Sequence, residues 1–330
     1  MGRIRHAFFR DCLLQQAGTS RSLRIQMPVK MHQRRIKCSY SACFLASVLL
    51  LMHFFAGAAL GSDLREVRAR GVLRHLGLPY ANFVTGGGDG LDVEMVKLFA
   101  EYLGVKYQFV GTAWEEIVSD LSGKRVVPSG DDVEIQGEAP VRGDIAACGL
   151  TILPWREKVV SFSTPTFPNQ VWLVARKDSR LRPIQPSGGR DKDIELVKAQ
   201  LEGISLLGAS GTCLDPQLYG LDEAGAQIVK SRGVVNELLP AIMKGEAEAT
   251  ILDACEALLA LEKWPGEFKV IGPVSPMQVM GYAFAKSSPE LRAAFNRFFD
   301  RSRRDGTYRR LVVKYYSLII DNYPEFFNED

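Results

Sequence analysis

The spacing of apolar residues along the chain predicts strands that alternate with helices from about residue 70 onward. Between Asp92 and Leu103, apolar side chains recur every three or four positions, as on one face of an amphipathic helix, and Gly104 then suits the C-terminal cap. Short apolar runs before and after this segment have the length of buried strands. Strands that alternate with helices favour parallel sheets with helices on both faces.

The alternation occurs as two successive series, which predicts two sheets and an α/β fold. The first series comprises strands at 71–77, 105–110 and 145–150 and helices at 92–103 and 114–121. The second comprises strands at 170–175, 204–207, 249–252, 268–271 and 279–285 and helices at 194–201, 234–243 and 255–261. Two further helices are predicted at 289–303 and 307–320, and the polar stretch 122–143 is predicted to be a hairpin insertion.

The first 61 residues follow a different pattern, which is typical of export. Basic residues at Arg34, Arg35 and Lys37 precede an apolar run at 43–60, and the run ends in small residues. We therefore interpret 1–61 as an N-terminal extension and signal peptide that is cleaved before Ser62, which predicts a periplasmic protein. The alternative is an uncleaved membrane anchor, because the run approaches the length that spans a bilayer.

Charge and cysteine content narrow the classes of function. Nine of the 41 Lys/Arg and one of the 38 Asp/Glu precede Ser62, so the remainder carries about −5 and has no basic surface for nucleic acid. Three cysteines remain after cleavage, Cys148, Cys213 and Cys255, and an odd number leaves at least one free thiol. Without a Cys-x-x-Cys pair, and with His75 as the one remaining histidine, the sequence predicts no metal site and no cofactor.

The stretch 149–156 carries the most informative chemistry. It places Thr151 at the carboxyl end of a predicted strand and Arg156 on the following turn. Ligands of open α/β sheets bind at such strand ends. A hydroxyl, backbone amides and a guanidinium suit a carboxylate, because arginine can bond both carboxylate oxygens at once. A surface salt bridge is the alternative for an arginine in this position.

The residues around this stretch extend the pattern into an ordered set of motifs. Residues 143–165 read Gly-Asp-Ile-Ala-Ala-Cys-Gly-Leu-Thr-Ile-Leu-Pro-Trp-Arg-Glu-Lys-Val-Val-Ser-Phe-Ser-Thr-Pro. Further motifs lie on both sides of it: Tyr80-Ala-Asn-Phe83, Gly90-Leu-Asp-Val-Glu94, Gly211-Thr212, Gly245-Glu-Ala-Glu-Ala-Thr-Ile-Leu-Asp253 and Asp305-Gly-Thr-Tyr308. The whole set resembles family 3 of the bacterial solute-binding proteins, the periplasmic amino-acid-binding proteins.

This resemblance implies a two-lobed, periplasmic-binding-protein-like α/β fold of type II, in which each lobe is a sheet flanked by helices. Lobe 1 would comprise 64–168 plus 281–330, and lobe 2 would comprise 171–277. A ligand would bind in the cleft between the lobes, and the lobes would then close around it.

The resemblance also implies the ligand-binding residues. Arg156 would pair with a ligand carboxylate, and Thr151 and the backbone of Gly149 would assist it. Thr212 would open a helix of lobe 2 and add further donors. Asp253 would take the ligand ammonium. Two aromatic residues, Tyr80 and Trp114, would pack against the ligand side chain.

Several of these residues could instead have a purely structural role. Asp253 could instead cap the following helix, and Trp114 could be a core residue. We interpret Asp92 as a helix N-cap rather than a ligand contact. A disulfide between Cys213 and Cys255 is a further alternative, because each lies near a proposed ligand contact.

The implied function is that of an exported, monomeric binding protein without enzymatic activity. It would capture an amino acid or a similar small zwitterion and deliver it to an ABC transporter permease in the inner membrane. Gly77 stands three residues before the first aromatic, where relatives that bind polar side chains often have an acid, and this argues against lysine or arginine as the ligand. The alternatives are a ligand-binding partner of a membrane sensor, and an enzyme on the same fold, such as a cyclohexadienyl dehydratase. A lytic transglycosylase module is disfavoured.

Overall fold

A computed structural model describes residues 63–230 and 235–327. The strands of this part of the chain are Val72–Gly77 (β1), Lys106–Gly111 (β2), Lys124–Ser129 (β3), Asp132–Glu138 (β4), Ile145–Ala146 (β5), Val160–Phe162 (β6), Phe167–Asn169 (β7), Val171–Arg176 (β8), Ser205–Gly208 (β9), Gln227–Lys230 (β10), Ala249–Asp253 (β11), Phe268–Pro273 (β12), Gln278–Met280 (β13) and Ala283–Ala285 (β14). The α-helices are Leu64–Arg70 (α1), Leu91–Leu103 (α2), Ile117–Ser122 (α3), Pro154–Val159 (α4), Arg190–Lys198 (α5), Leu238–Met243 (α6), Ala254–Lys263 (α7), Pro289–Arg304 (α8), Thr307–Tyr315 (α9), Ser317–Asn322 (α10) and Pro324–Phe327 (α11). The predicted signal peptide lies outside these residues.

The strands form two five-stranded sheets, which confirms the predicted α/β class. The first has the order β2-β1-β5-β14-β6 and the second the order β10-β9-β11-β8-β12. Both sheets are mixed, so the prediction of parallel sheets was wrong for part of each. In the first sheet β14 runs antiparallel to β5 and β6, and in the second β8 runs antiparallel to β11 and β12. Each of these two strands follows a crossing between the sheets rather than a crossover helix, and only parallel neighbours need such a helix.

A short two-stranded ribbon joins the two sheets. It consists of β7 and β13, which pair antiparallel, with Asn169 opposite Gln278. The predicted single strand at 279–285 is therefore two strands, because the chain leaves the ribbon at Gly281 and enters the first sheet at Ala283. The predicted lobe limits, 64–168 plus 281–330 and 171–277, remain a prediction. The strands of the two sheets come from 72–162 plus 283–285 and from 171–273.

Helix α2 shows how the local sequence sets its limits. It begins after Gly90, whose φ is 129° and where a Cβ atom would lie 2.3 Å from the carbonyl oxygen of Phe83. It ends at Gly104, which is left-handed at φ 72° and donates its N–H to the last turn. Between these glycines one apolar face is buried against the first sheet, as the sequence periodicity predicted.

The insertion at 122–143 contains an antiparallel hairpin of β3 and β4, as predicted. Two other predictions need correction at their ends. The strand predicted at 145–150 stops at Ala146, because the chain turns through Gly149 at φ 68°. The helix predicted at 307–320 breaks at Tyr316, whose φ of −147° and ψ of 57° are not helical.

The helix predicted at 234–243 is observed as a 3₁₀ turn at Val235–Glu237 followed by α6, and its predicted first residue, Val234, lies outside the described residues. Within 63–230 and 235–327, no helix is both long and apolar enough to cross a membrane.

Candidate functional site

The turn that follows β5 forms one wall of the candidate site. Gly149 has a left-handed φ of 68°, and its N–H donates to Asp92 Oδ2 at 2.7 Å. Asp92 also accepts from the hydroxyl of Tyr282 at 2.7 Å, so it anchors the turn to helix α2 and to β14. Our interpretation of Asp92 as an N-cap was wrong, because Gly90 occupies the cap position. Burial raises the pKa of Asp92 to about 7, although both hydrogen bonds act in the opposite direction.

Arg156 lies in helix α4 with 1% of its surface exposed. Its Nη1 donates to the carbonyl oxygen of Thr151 at 2.7 Å, and its guanidinium lies 5.3 Å from the ring centre of Trp155. Its Nε has no hydrogen-bond partner, and no described carboxylate lies within ion-pair distance of it. Burial lowers the pKa of Arg156, which reflects the cost of holding this charge away from water. The surface-salt-bridge alternative is therefore wrong.

Asp253 is fully buried at the carboxyl end of β11, in the second sheet. It occupies the N-cap position of helix α7 but makes no side-chain capping bond. Its Oδ2 accepts from the hydroxyl of Tyr80 at 2.5 Å, and its Oδ1 accepts from Asn169 Nδ2 at 2.7 Å. Burial raises the pKa of Asp253, whereas these two hydrogen bonds and the charge of Arg156 oppose the shift. Asp253 thus faces the first sheet rather than its own helix.

The two predicted aromatic residues lie side by side on the first-sheet wall. Tyr80 follows β1 and is 1% exposed, and its ring meets that of Trp114 edge to face at a centroid distance of 5.3 Å. Trp114 is only half-buried and does not belong wholly to the core. A planar apolar side chain would find two aromatic surfaces here.

Thr212 lies in a turn between β9 and a 3₁₀ helix at Pro216–Tyr219, so the prediction that it opens a helix was wrong. Its hydroxyl donates to the carbonyl oxygen of Ala209 at 2.7 Å and accepts from the N–H of Leu214 at 3.0 Å. The neighbouring Cys213 contacts the site directly: its Sγ lies 3.6 Å and 3.7 Å from the two carboxylate oxygens of Asp253. Both hydrogen bonds of the Thr212 hydroxyl are thus made within its own turn, and Cys213 rather than Thr212 contacts Asp253.

The three cysteines of this part of the chain are all free and buried, which contradicts the alternative of a disulfide between Cys213 and Cys255. Within the residues that the structure describes, no group of three or more potential metal ligands is present.

Two residues that the sequence analysis missed complete the site. Asn169, in β7, is fully buried and also lies 3.4 Å from the hydroxyl of Thr151. Glu256 lies one turn into helix α7, and its Oε2 is 3.2 Å from the hydroxyl of Tyr80. Burial and the nearby charge of Asp253 raise the pKa of Glu256 to about 8. The three-residue spacing of Asp253 and Glu256 could have pointed to Glu256, whereas no local pattern marks Asn169.

Five of the seven predicted residues are therefore connected through direct contacts. The connection runs from Arg156 through Thr151 and Asn169 to Asp253, and from there to Tyr80 and Trp114. Gly149 lies two residues before Thr151 in the sequence, and its N–H already donates to Asp92. Thr212 joins through its neighbour Cys213. The result is a buried guanidinium and a buried carboxylate that are connected through Thr151 and Asn169.

Comparison with known proteins matches residues 134–317 to the family model of bacterial extracellular solute-binding proteins, family 3. Among curated proteins, the chain is similar to the membrane-bound lytic murein transglycosylase F of Desulfosudis oleivorans, with 25% identity over 232 residues. That match covers 70% of this chain and 44% of the transglycosylase, so the chain spans less than half of that relative.

A second relative is the "Probable amino-acid ABC transporter-binding protein" of Haemophilus influenzae, with 25% identity over 69% of this chain and 76% of that protein. Among solved structures, the chain is similar to a mutant of ArgBP from T. maritima. The TM-score is 0.61 and the identity 26%, over 77% of this chain and 99% of that one.

Proposed function

The chain belongs to the bacterial extracellular solute-binding proteins of family 3, and from that premise we propose that it captures an amino acid or a similar small zwitterion between its two lobes. Arg156 would bind the ligand carboxylate, with Thr151 beside it. Asp253 would bind the ligand ammonium, and Tyr80 and Trp114 would contact the ligand side chain. Gly149 and Thr212 would contribute to the ligand site through the backbone shape of the turns in which they lie.

The observation that carries this proposal is the unpaired guanidinium of Arg156. A buried charge is expensive to remove from water unless a counter-charge and hydrogen bonds compensate it. Arg156 is 1% exposed, and its Nε lacks a partner. A ligand carboxylate would supply both the charge and the missing acceptor. On the facing sheet, Asp253 accepts only from uncharged donors, so a ligand ammonium would supply its counter-charge.

Asp253 also connects ligand binding to closure. Its hydrogen bond with Tyr80 joins a residue after β1 of the first sheet to the end of β11 of the second. A ligand that bonds both walls favours the closed arrangement over the open one, because its full set of contacts exists only when the lobes meet.

The experiment that tests the proposal uses Asp253→Asn. We expect this variant to fold normally but to bind amino acids weakly, because the ligand ammonium would be buried without a countercharge. Small-angle scattering with a saturating amino acid should compact the parent protein and compact the variant less. Asp222→Asn, at an exposed position in the same half of the chain, is the matched control. If Asp253→Asn binds and compacts like the parent, the ammonium has another partner and the assignment fails.

The proposal includes export to the periplasm with cleavage before Ser62 and delivery to an ABC transporter permease, with the protein acting as a monomer. The family of extracellular proteins supports export, and the relative from Haemophilus influenzae supports a transporter partner. Both the signal peptide and the cleavage site lie outside the described residues.

Catalysis on the same fold is a second candidate, and the paired carboxyl groups of Asp253 and Glu256 favour it. Both carboxyl groups lie within hydrogen-bond distance of the hydroxyl of Tyr80, and burial raises the pKa of each. A carboxyl group that stays protonated near neutral pH can act as a general acid. Incubation with arogenate or prephenate distinguishes the two functions: release of product would establish an enzyme, and binding without turnover would support capture.

A further inference from the structure

The amide of Asn169 lies between the two walls of the site. Its residue ends β7, on the ribbon that joins the sheets, and none of its surface is exposed. Its Nδ2 donates to Asp253 at 2.7 Å and lies 3.4 Å from the hydroxyl oxygen of Thr151. Its Oδ1 has no hydrogen-bond partner.

An unpaired buried carbonyl oxygen is costly, because it has lost its bonds to water and gained none in return. Within the described residues, four buried polar side-chain atoms lack a hydrogen-bond partner, and Oδ1 of Asn169 and Nε of Arg156 are two of them. Both side chains contact Thr151, Arg156 through the backbone carbonyl at 2.7 Å and Asn169 through the hydroxyl. An unpaired donor and an unpaired acceptor therefore flank the same residue, and a ligand with one acceptor group and one donor group would satisfy both.

We propose that Asn169 is a specificity-determining ligand residue, whose Oδ1 accepts a hydrogen bond from the ligand ammonium beside Asp253. This inference rests on the proposed function. A primary ammonium has three N–H donors, and the carboxylate of Asp253 already accepts from Tyr80 and from Asn169 itself. The amide oxygen adds an acceptor that the carboxylate alone does not supply. The two carboxylate oxygens of Asp253 and the amide oxygen of Asn169 then offer three acceptors to three N–H groups. An α-N-methylated amine has one N–H fewer and leaves one of these acceptors unpaired, so the site selects the primary ammonium.

The position of Asn169 also allows this contact to form before the lobes close. Residues of the connecting ribbon border both sheets, so a ligand can contact Asn169 before the two walls meet. The contact would therefore contribute to the first binding step as well as to the closed complex.

The test pairs a change in the protein with a change in the ligand. The probe is whichever of the twenty common L-amino acids or L-cystine binds the parent protein most tightly in calorimetry, together with its α-N-methyl derivative. Asn169→Leu keeps the size of the side chain and removes both polar atoms. We expect it to weaken the amino acid about tenfold to a hundredfold. We also expect the preference of the parent for the primary amine, roughly tenfold or more, to fall to within about threefold.

The second readout distinguishes a direct contact from a positioning role. If Asn169 only holds Asp253 in place, Asn169→Leu weakens both probes by the same factor, and the unchanged preference overturns the inference. Unchanged affinity for both probes overturns it as well. Asn322→Leu, at an exposed position in helix α10, should leave both affinities unchanged. If Asn169→Leu does not fold, Asn169→Ala, which also removes both polar atoms, carries the same comparison.

Failure of the inference and failure of the proposed function remain distinguishable. If no amino acid binds the parent protein, the proposed function fails and the inference fails with it. If amino acids bind the parent but Asn169→Leu leaves the preference intact, capture stands and only the role of Asn169 is overturned.

Discussion

At the scale of single residues, the site is defined by charged groups whose burial is only partly compensated. Arg156 gains a hydrogen bond to the backbone of Thr151 and a contact with the ring of Trp155, but no described carboxylate lies within ion-pair distance of it. Asp253 accepts hydrogen bonds from neutral donors, and the charge of Arg156 acts on it from beyond ion-pair distance. Such groups lower the stability of the empty protein and raise its affinity for a molecule that completes them.

The first prediction concerns Arg156. Arg156→Ala should lower amino-acid affinity by at least tenfold to a hundredfold, because the ligand carboxylate loses charge-assisted hydrogen bonds of about 1.5–3 kcal/mol each. Arg156→Lys should restore only part of the affinity, since an ammonium cannot form two parallel bonds. Calorimetry provides the measurement, and Arg309→Ala, at an exposed position on helix α9, is the control. Equal affinity of parent and alanine variant would contradict the role of Arg156.

The second prediction concerns Glu256 and pH. Burial raises its pKa from the ordinary 4.5 to about 8, so between these values the unfolded chain releases a proton that the folded protein retains. The free energy of unfolding should therefore fall as the pH rises from about 4.5 to 8, by on the order of a few kcal/mol. Glu256→Gln should reduce this slope in urea titrations at pH 5 and pH 8 without ligand, and the raised pKa values of Asp92 and Asp253 account for the slope that remains. Glu262→Gln, exposed on the same helix, should keep the slope of the parent. A parent slope that persists in Glu256→Gln would refute this origin.

At the scale of elements, the turn after β5 positions Gly149 and Thr151, two of the proposed ligand-binding residues. Gly149 adopts a left-handed φ, and a Cβ atom there would lie 2.4 Å from the ring of Phe83. The turn thus needs a glycine for two independent reasons, the backbone conformation and the close approach of the aromatic ring.

The third prediction separates these two reasons. Gly149→Ala should destabilise the protein by about 1 kcal/mol through the backbone and by roughly 1–3 kcal/mol more through the displaced ring of Phe83. Gly130→Ala is the matched control, because φ is 58° there and nothing lies within 4 Å of the added atom. It should cost only about 1 kcal/mol. Thermal denaturation of both variants measures the difference, and equal losses would show that the ring of Phe83 moves without cost.

At the scale of the whole molecule, further polar contacts join the two halves at the residues that flank Tyr80. Asn236 Nδ2 donates to the carbonyl oxygen of Pro79 at 2.8 Å, and its Oδ1 lies 3.5 Å from the N–H of Ala81. Pro79 and Ala81 follow β1 of the first sheet, whereas Asn236 lies on the 3₁₀ turn before helix α6. These contacts hold the segment after β1 against the turn before helix α6, whether or not a ligand touches them.

The fourth prediction follows from this contact. Asn236→Ala should weaken amino-acid binding about fivefold, because loss of roughly 1 kcal/mol of interlobe hydrogen bonding lowers the population that is competent to hold the ligand. Asn322→Ala, at an exposed position near the end of the chain, is the control. Calorimetry and scattering together provide the test. A fivefold loss of affinity without any change in compaction would place Asn236 at the ligand rather than at the closure contact.

The sequence by itself determined the α/β class and the hairpin insertion, and it supplied most of the candidate residues for the site. Helix α2 and the hairpin of β3 and β4 follow from apolar periodicity and glycine positions, because these depend on interactions between residues close in the chain. The spacing of Thr151 and Arg156 follows from a local pattern in the same way, whereas Asp253 was selected through the family resemblance of its motif. These residues could therefore be selected before any contact between the two sheets was known.

Only the tertiary structure decided which groups the site leaves unpaired. Asn169 meets Asp253 across 84 residues of chain, and Tyr80 meets it across 173, so no local pattern could reveal either contact. The same holds for Asp92, whose carboxylate accepts a hydrogen bond from the N–H of Gly149 across 57 residues of chain. It holds also for the antiparallel strands β8 and β14, whose direction depends on the crossings between sheets. Hydrogen bonds between distant segments depend on how the whole chain packs, and that packing determines which polar atoms of the site remain free for a ligand.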